Sequence, residues 1–297
     1  EPWTPIGRFT SATDIKPFSG YFDGGNHVID HLTIQSTQGG AAGLFAMVLA
    51  GELRNIILTN VNIERPVNGD IYSFAGAVVA RANYAIVENC EARSGIITTG
   101  SSNVNGGVAG AFAGGTMRNC INRIDVISST GANTSYNAGI VGRIEPGIDW
   151  RGYTNPYASR WESYIEDCRN YGNITSSGSY LGGIAGTFTT GFTSSYKGYV
   201  LRCANAGTIT GNGACGGIVG ELSSYSEVNY NVNIGSIRNF SNASTAYRYG
   251  GIVGSVNYDN TGVYGNLNAG NITMPASVNE TGGIVGCVGY ESQNYYY

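Results

Sequence analysis

Lysine, histidine, leucine and glutamate are all scarce in this chain of 297 residues, and each scarcity removes a class of protein. Only Lys16 and Lys197 supply lysine, the arginines stand singly, and the net charge is −4. No basic stripe can therefore track a phosphate backbone, and nucleic acid is not an expected partner. The histidines are His27 and His31 alone, and no G-x-S-x-G elbow accompanies them, which argues against a Ser/His/Asp nucleophile. Six cysteines occur without C-x-x-C or Cys/His spacing, so neither a metal nor a cofactor is expected. No run approaches the length of a membrane-spanning helix. Few helix-favouring residues alongside many Ile, Val, Thr and Tyr make this an all-β composition.

Glycine, by contrast, is abundant at 46 residues, and it is periodic. The motif reads GGVAG at Gly106, GGIAG at Gly182 and GGIVG at Gly216, Gly250 and Gly282, with weaker copies AGIVG at Ala138, AGAVV at Ala75 and AGLFA at Ala42. Taking the second position as register gives 43, 76, 107, 139, 183, 217, 251 and 283. A second motif, C-x-N-x-G-x-I, follows half a repeat later. Its clearest copies are CRNYGNI from Cys168 and CANAGTI from Cys203; Asn231 and Asn266 replace the cysteine in later copies, and Ile57 replaces it in an early one.

Two phased motifs with a period near 32 residues indicate stacked units, each of short strands joined at glycine corners. The expected fold is a right-handed parallel β-helix of about eight coils, a single domain over 1–297. Residues 1–36 form an opening rung and 37–297 the repeats. Stacking predicts an amide ladder through Asn122, Asn170, Asn205, Asn233 and Asn268, and a row of buried free thiols at Cys90, Cys120, Cys168 and Cys203. The glycines are expected where the backbone needs positive φ or passes close to the next coil. The last unit lacks its C-x-N-x-G-x-I half, so a cap, a neighbouring domain or more chain is expected to cover that edge.

These motifs, with WTPIG from Trp3 and FSGYFDGGNHVIDHLTI from Phe18, resemble the GLUG-motif repeat proteins of bacterial surfaces and secretions. The resemblance spans nearly the whole chain. It implies a β-helix on the cell exterior, of the kind found in adhesins and in non-catalytic regions attached to immunoglobulin A1 proteases, and it supplies no catalytic residue. His27 matches a histidine common in such opening segments, where a turn hydrogen bond is its expected role.

One step, from 139 to 183, is 44 residues long, and the excess falls in a loop placed at 143–167. It carries Trp150, Tyr153, Tyr157, Trp161 and Tyr164 among Asp149, Arg151, Arg160 and Glu162. Aromatic faces beside polar groups suit a sugar ring or a protein surface, although such a loop also serves to cover a coil flank. Tyr225, Tyr258 and Tyr290 recur at repeat spacing and are expected to stack along one edge, as a binding strip or as corner packing. The expected function is a non-catalytic extracellular adhesin-like or scaffold segment binding a glycan or host surface protein. The alternative is a carbohydrate-active hydrolase or lyase using Asp149, Glu162, Glu166 or Asp167.

Overall fold

The computed structural model of the chain describes residues 1–10, 14–35, 40–65, 73–100, 103–128, 135–145, 162–189, 193–194, 197–240, 248–257, 259–274 and 280–289, with the backbone of 295–296. Every regular element among them is a strand, and apart from one antiparallel hairpin all pairings are parallel. The chain winds around four walls. Wall 1 runs from Ala41–Ala42 to Glu280–Gly282, wall 3 from Val28–Asp30 to Leu267–Asn268, and wall 4 from Thr33–Gln35 to Ile272–Thr273, with eight strands each. Wall 2 holds fifteen strands, because several of its coils contribute two. This is a parallel β-helix of eight coils, roughly 40 Å long at the usual strand spacing.

Neither motif is one straight strand. In the copy at Gly216, wall 1 ends with that glycine, Gly217 and Ile218 turn the corner, and Val219 opens wall 2. Likewise Cys168 precedes the wall 3 strand Arg169–Asn170, Gly172 turns, and Ile174 opens wall 4. Inward positions are sealed: Ile218, Val219, Cys203, Asn205 and Ile209 are all buried. The thiols of Cys90, Cys120, Cys168 and Cys203 are free and buried in one row, and burial with thiol neighbours holds the first three protonated.

The asparagine ladder is continuous. Asn122 donates to Asn170, Asn170 to Asn205, Asn205 to Asn233 and Asn233 to Asn268, each at 2.8 Å. Each side chain also closes its own corner: Asn205 Nδ2 donates to the Gly207 carbonyl at 3.0 Å and its Oδ1 accepts from Gly207 N at 3.2 Å. Buried corner groups that no strand could pair are thereby satisfied.

Close approach, not positive φ, requires the motif glycines as far as Gly251, while Gly283 in the last coil meets nothing; none lies in the left-handed region. A Cβ on Gly183 would sit 2.2 Å from the Gly217 carbonyl oxygen and 2.3 Å from Asn205 Cγ. Gly107, Gly139, Gly217 and Gly251 meet Asn122, Asn170, Asn233 and Asn268 in the same way. The second glycine of one motif makes room for the asparagine of the other. This also corrects the register of the early copies. Gly76 pairs with Gly106, leaving Ala77 at the corner, and in that coil the asparagine row holds Ala92. A corner methyl is tolerated where no amide needs the space. Cys90 is likewise in register with Ile56, not Ile57, since Glu91 pairs with Ile57.

The first coil is covered by the chain's opening residues. Trp3 N bonds the Thr33 carbonyl, Trp3 Nε1 bonds the Leu44 carbonyl, and the hairpin Arg8–Phe9 with Ile15–Lys16 lies alongside. In the last coil Leu267, Ile284 and Val288 are exposed.

Asn205→Ala should destabilise the rod by about 3 kcal/mol, because it orphans several buried groups at once. Gly183→Ala should be at least as damaging, and because its Cβ would still lie 2.2 Å from the Gly217 carbonyl oxygen, the double variant should recover only the part of the cost due to the Asn205 amide. Urea unfolding of the three variants checks this, and strict additivity would show the motifs to be uncoupled.

Candidate functional site

The long coil does not loop out over 143–167. Arg143–Glu145 completes the wall 2 strand Val141–Glu145 and Ser163–Glu166 is a second wall 2 strand, so the excess lies between them. Trp150, Tyr153, Tyr157 and Trp161 lie outside the described residues, as do Tyr258 and Tyr290. In the second and third coils, wall 2 is one strand, Val79–Glu88 and Ala109–Arg118. From the long coil onward it is split between Val141–Glu145 and Ser163–Glu166, Ala185–Phe188 and Gly198–Leu201, Val219–Leu222 and Ser226–Asn229, Val253–Val256 and Gly262–Tyr264, and Val285–Val288 and Tyr295–Tyr296.

Described residues of the second, third and fourth splits line an open cavity of about 570 Å³ on the outer side of wall 2. Ser194 and Lys197 come from the second split, Tyr225 from the third, and Asn260 and Thr261 from the fourth. Glu227, Gly262 and Tyr264 supply the strand floor. Of the tyrosines expected to stack along an edge, Tyr225 alone is described. It sits in the left-handed region at φ 54 and packs partly buried against the core. Tyr84, within the strand Val79–Glu88 of the second coil, has a similar φ of 52.

Beside the cavity runs a row that sequence spacing did not reveal. Thr116, Tyr164, Tyr199, Glu227 and Gly262 stand in register on one outward face of wall 2. The rings of Tyr164 and Tyr199 stack with centroids 4.7 Å apart and planes 7° from parallel. Glu162, at the end of the long coil's excess, accepts a hydrogen bond from the Tyr164 hydroxyl. Burial and the Glu162 carboxylate push the Tyr164 phenol well above its usual range, and burial with Glu162 and Glu227 nearby pushes Tyr199 to about 12. Both remain hydroxyls at any physiological pH.

Glu227 organises the cavity. Its Oε1 lies 3.4 Å from Lys197 Nζ, while its Oε2 accepts from Asn229 Nδ2 at 3.1 Å and from the Tyr264 hydroxyl at 3.3 Å. Tyr264 also meets Tyr230 edge to face, with centroids 5.7 Å apart. Aromatic faces, one ammonium and one carboxylate thus converge on an open hollow. Such a set can hold a polyhydroxylated ring by packing and hydrogen bonds.

The acids considered for catalysis are occupied otherwise. Asp167 forms a two-point pair with Arg202 at 2.9 Å, and Glu166 lies 3.6 Å from the same guanidinium. Asp149 lies outside the described residues. His27 is exposed, and its backbone N–H closes a turn on the Gly24 carbonyl at 2.9 Å. Among the described residues no cluster of His, Cys, Asp and Glu could hold a metal ion, and no helix is long and apolar enough to cross a membrane.

A second polar strip fills the seam between walls 1 and 2. Arg81 and Arg143 both pair with Glu145 and lie over the Phe74 ring at 5.1 and 5.4 Å. Burial alone would raise the Glu145 carboxyl, but the two guanidinium groups outweigh it and hold it down at about 2. Further along, Tyr136 and Tyr180 stack at 5.4 Å, and Asn257 Nδ2 donates to Glu221 at 2.6 Å. Arg248 is engaged by Glu280, Ser255 and Asn257, so no cation pairs directly with Glu221 among the described residues. Burial accordingly pushes the Glu221 carboxyl up to about 7 despite bonds from Tyr180 and Asn257.

The sign of the Glu221 effect follows from linkage. Between its ordinary 4.5 and about 7 the folded chain holds a proton that the unfolded chain releases, so stability falls as pH rises through that window. Glu221→Gln should remove up to about 3 kcal/mol of that fall. Its Tm should match the parent near pH 4.5 and exceed it at pH 8. Glu145, held down, contributes oppositely and below that window, losing its stabilisation as pH drops toward 2. Equal Tm differences at both pH values would show that Glu221 does not titrate between them.

No family model matches the chain, and no curated protein matches it. Among solved structures, the fold is similar to that of "a putative immunoglobulin A1 protease from Bacteroides ovatus", with TM-score 0.53 and 17% identity. The match covers 100% of this chain and 74% of that one. At this identity the likeness establishes the architecture, a β-helix shared along the full length.

Proposed function

We propose that this chain is a non-catalytic, extracellular, adhesin-like β-helix that binds carbohydrate at the wall 2 cavity. The observation that carries this reading is the convergence of Lys197, Tyr225, Glu227 and Tyr264 on one open hollow beside the Tyr164–Tyr199 stack. Ring faces, a cation and a carboxylate together suit a sugar better than an apolar ligand or a polyanion. The extracellular, bacterial-surface setting rests on the resemblance to GLUG-motif repeats and is consistent with the architecture shared with the Bacteroides ovatus protein. A binding role without turnover is favoured because Glu227 is the one carboxylate lining the cavity among the described residues, so no pair of acids faces across it.

The long coil belongs to this site through its return strand, which delivers Glu162 and Tyr164 to the row leading into the cavity.

Glycan-array binding and a polysaccharide turnover assay, run on the same preparation, test the reading. Binding without turnover is expected, and Tyr264→Ala should weaken it by about tenfold or more, with Tyr199→Ala smaller in effect. Turnover that disappears on replacing Asp149 or Glu162 would make the chain an enzyme. Binding of a host protein but of no glycan would move the site to a protein interface. If Trp150→Ala and Trp161→Ala leave binding intact, the excess of the long coil takes no part in it.

A further inference from the structure

The chain passes from wall 2 to wall 3 through a residue in the left-handed region. From the first coil to the seventh these corner residues are Asn55, Asn89, Asn119, Asp167, Arg202, Tyr230 and Gly265, with φ between 53 and 65. The first six each donate their backbone N–H to the carbonyl just before the next corner, which places all seven in one row. Earlier in the row polar side chains pair with one another: Asn89 Nδ2 donates to Asn55 at 3.2 Å, and Arg202 Nε donates to Asp167 at 2.9 Å. Tyr230 breaks this pattern. Its side chain is aromatic and the residue is 59% exposed.

Six of the seven corners carry a side chain in this conformation, so the left-handed φ does not by itself select glycine at 265. The Tyr230 ring does. A Cβ on Gly265 would lie 2.5 and 2.6 Å from Cδ1 and Cε1 of that ring, and its third nearest atom would be Cγ of the same ring. At Gly217 and Gly251, by contrast, a Cβ would collide with backbone at 2.1 and 2.0 Å. Those glycines serve the fold, whereas Gly265 gives the Tyr230 ring its resting place.

That ring continues the cavity across the corner. Tyr264 lines the cavity with its hydroxyl on Glu227, and its ring meets Tyr230 with centroids 5.7 Å apart and planes at 88°. A flat rigid ligand cannot lie against both rings at that angle. Two sugar rings joined by a rotatable glycosidic linkage can, each packing its apolar face on one tyrosine. A tyrosine fixed by its neighbours yet left mostly open offers more to a ligand than to the core.

We propose that Tyr230 forms a second sugar subsite beside the cavity, so that the site takes an oligosaccharide of at least two rings. One ring lies in the cavity against Tyr264 and the next packs on the open face of Tyr230, with Gly265 as the positioning residue that seats this platform. The inference rests on the carbohydrate-binding reading above and adds the length of ligand that the site accepts.

Calorimetric titration of the mono- to tetrasaccharides of glucose, galactose, mannose and N-acetylglucosamine, in α-1,4 and β-1,4 linkage, into the parent, Tyr230→Ala, Tyr230→Phe and Gly265→Asn proteins tests it. In at least one series the parent should bind the disaccharide about tenfold more tightly than the monosaccharide. Tyr230→Ala should bring that ratio close to one and Tyr230→Phe should keep it. Gly265→Asn, which displaces the ring, should lower the ratio as alanine does while Tm stays near the parent, because asparagine already holds this corner at Asn55, Asn89 and Asn119. A parent ratio near one, or a parent-like ratio in folded Tyr230→Ala, overturns the second subsite and leaves the cavity a carbohydrate site. Equal losses for both sugars in Tyr230→Ala make the residue a prop for Tyr264 and overturn the subsite in the same way. A parent-like ratio in Gly265→Asn overturns the positioning role. Binding of none of the sugars overturns this inference and the carbohydrate reading together.

Discussion

Everything in this rod depends on the space between a corner glycine and the asparagine amide packed against it. The amide must sit inside the coil, because it satisfies the carbonyls of the corner at Gly172, Gly207, Gly235 and Gly270. It can sit there only if the facing corner has no Cβ, which the close contacts of Gly139, Gly183, Gly217 and Gly251 make plain. The two motifs repeat in phase because they are two halves of one packing unit. The early coils show the alternative solution, with Ala77 and Ala92 in the positions that later hold Gly and Asn.

With the interior fixed in this way, variation is confined to outward positions and to the splits in wall 2. Outward rows carry charge networks such as Arg54, Glu88 and Arg118, whose pairs at 2.7 and 2.8 Å link neighbouring coils. Such partly exposed pairs add register specificity more than stability. On the outer side of wall 4 the same freedom places Arg238 between Thr210 and Thr273, which breaks any regular threonine array. Where wall 2 divides, the chain gains enough length to border a hollow, and there Tyr225 and Lys197 stand beside Tyr264.

The seam and the cavity show how one scaffold yields two electrostatic outcomes. In the seam Glu145 lies between two guanidinium groups and stays charged, whereas Glu221, with Tyr180 and Asn257 as partners and Arg248 committed elsewhere, resists ionisation. Around the cavity, Glu227 keeps solvent contact and an ammonium partner and remains available to a ligand. Position along the rod therefore decides whether a carboxylate is structural or free to bind.

The sequence by itself determined the architecture, the number of coils and the amide ladder, since stacking converts period directly into contact. It also pointed to the long coil, because an altered step is visible in spacing alone. It misplaced the early register by one residue, at Gly43, Gly76 and Ile57, because weak copies can be aligned on glycine or on the apolar pair, and only strand pairing chooses between them. It did not find the cavity. Lys197, Glu227, Gly262 and Tyr264 share no motif, and steps of 34, 34 and 32 residues conceal where within each coil wall 2 divides. Those residues meet because parallel coils stack them one above another. That relation exists across the coils and not along the chain, and the tertiary structure alone decided it.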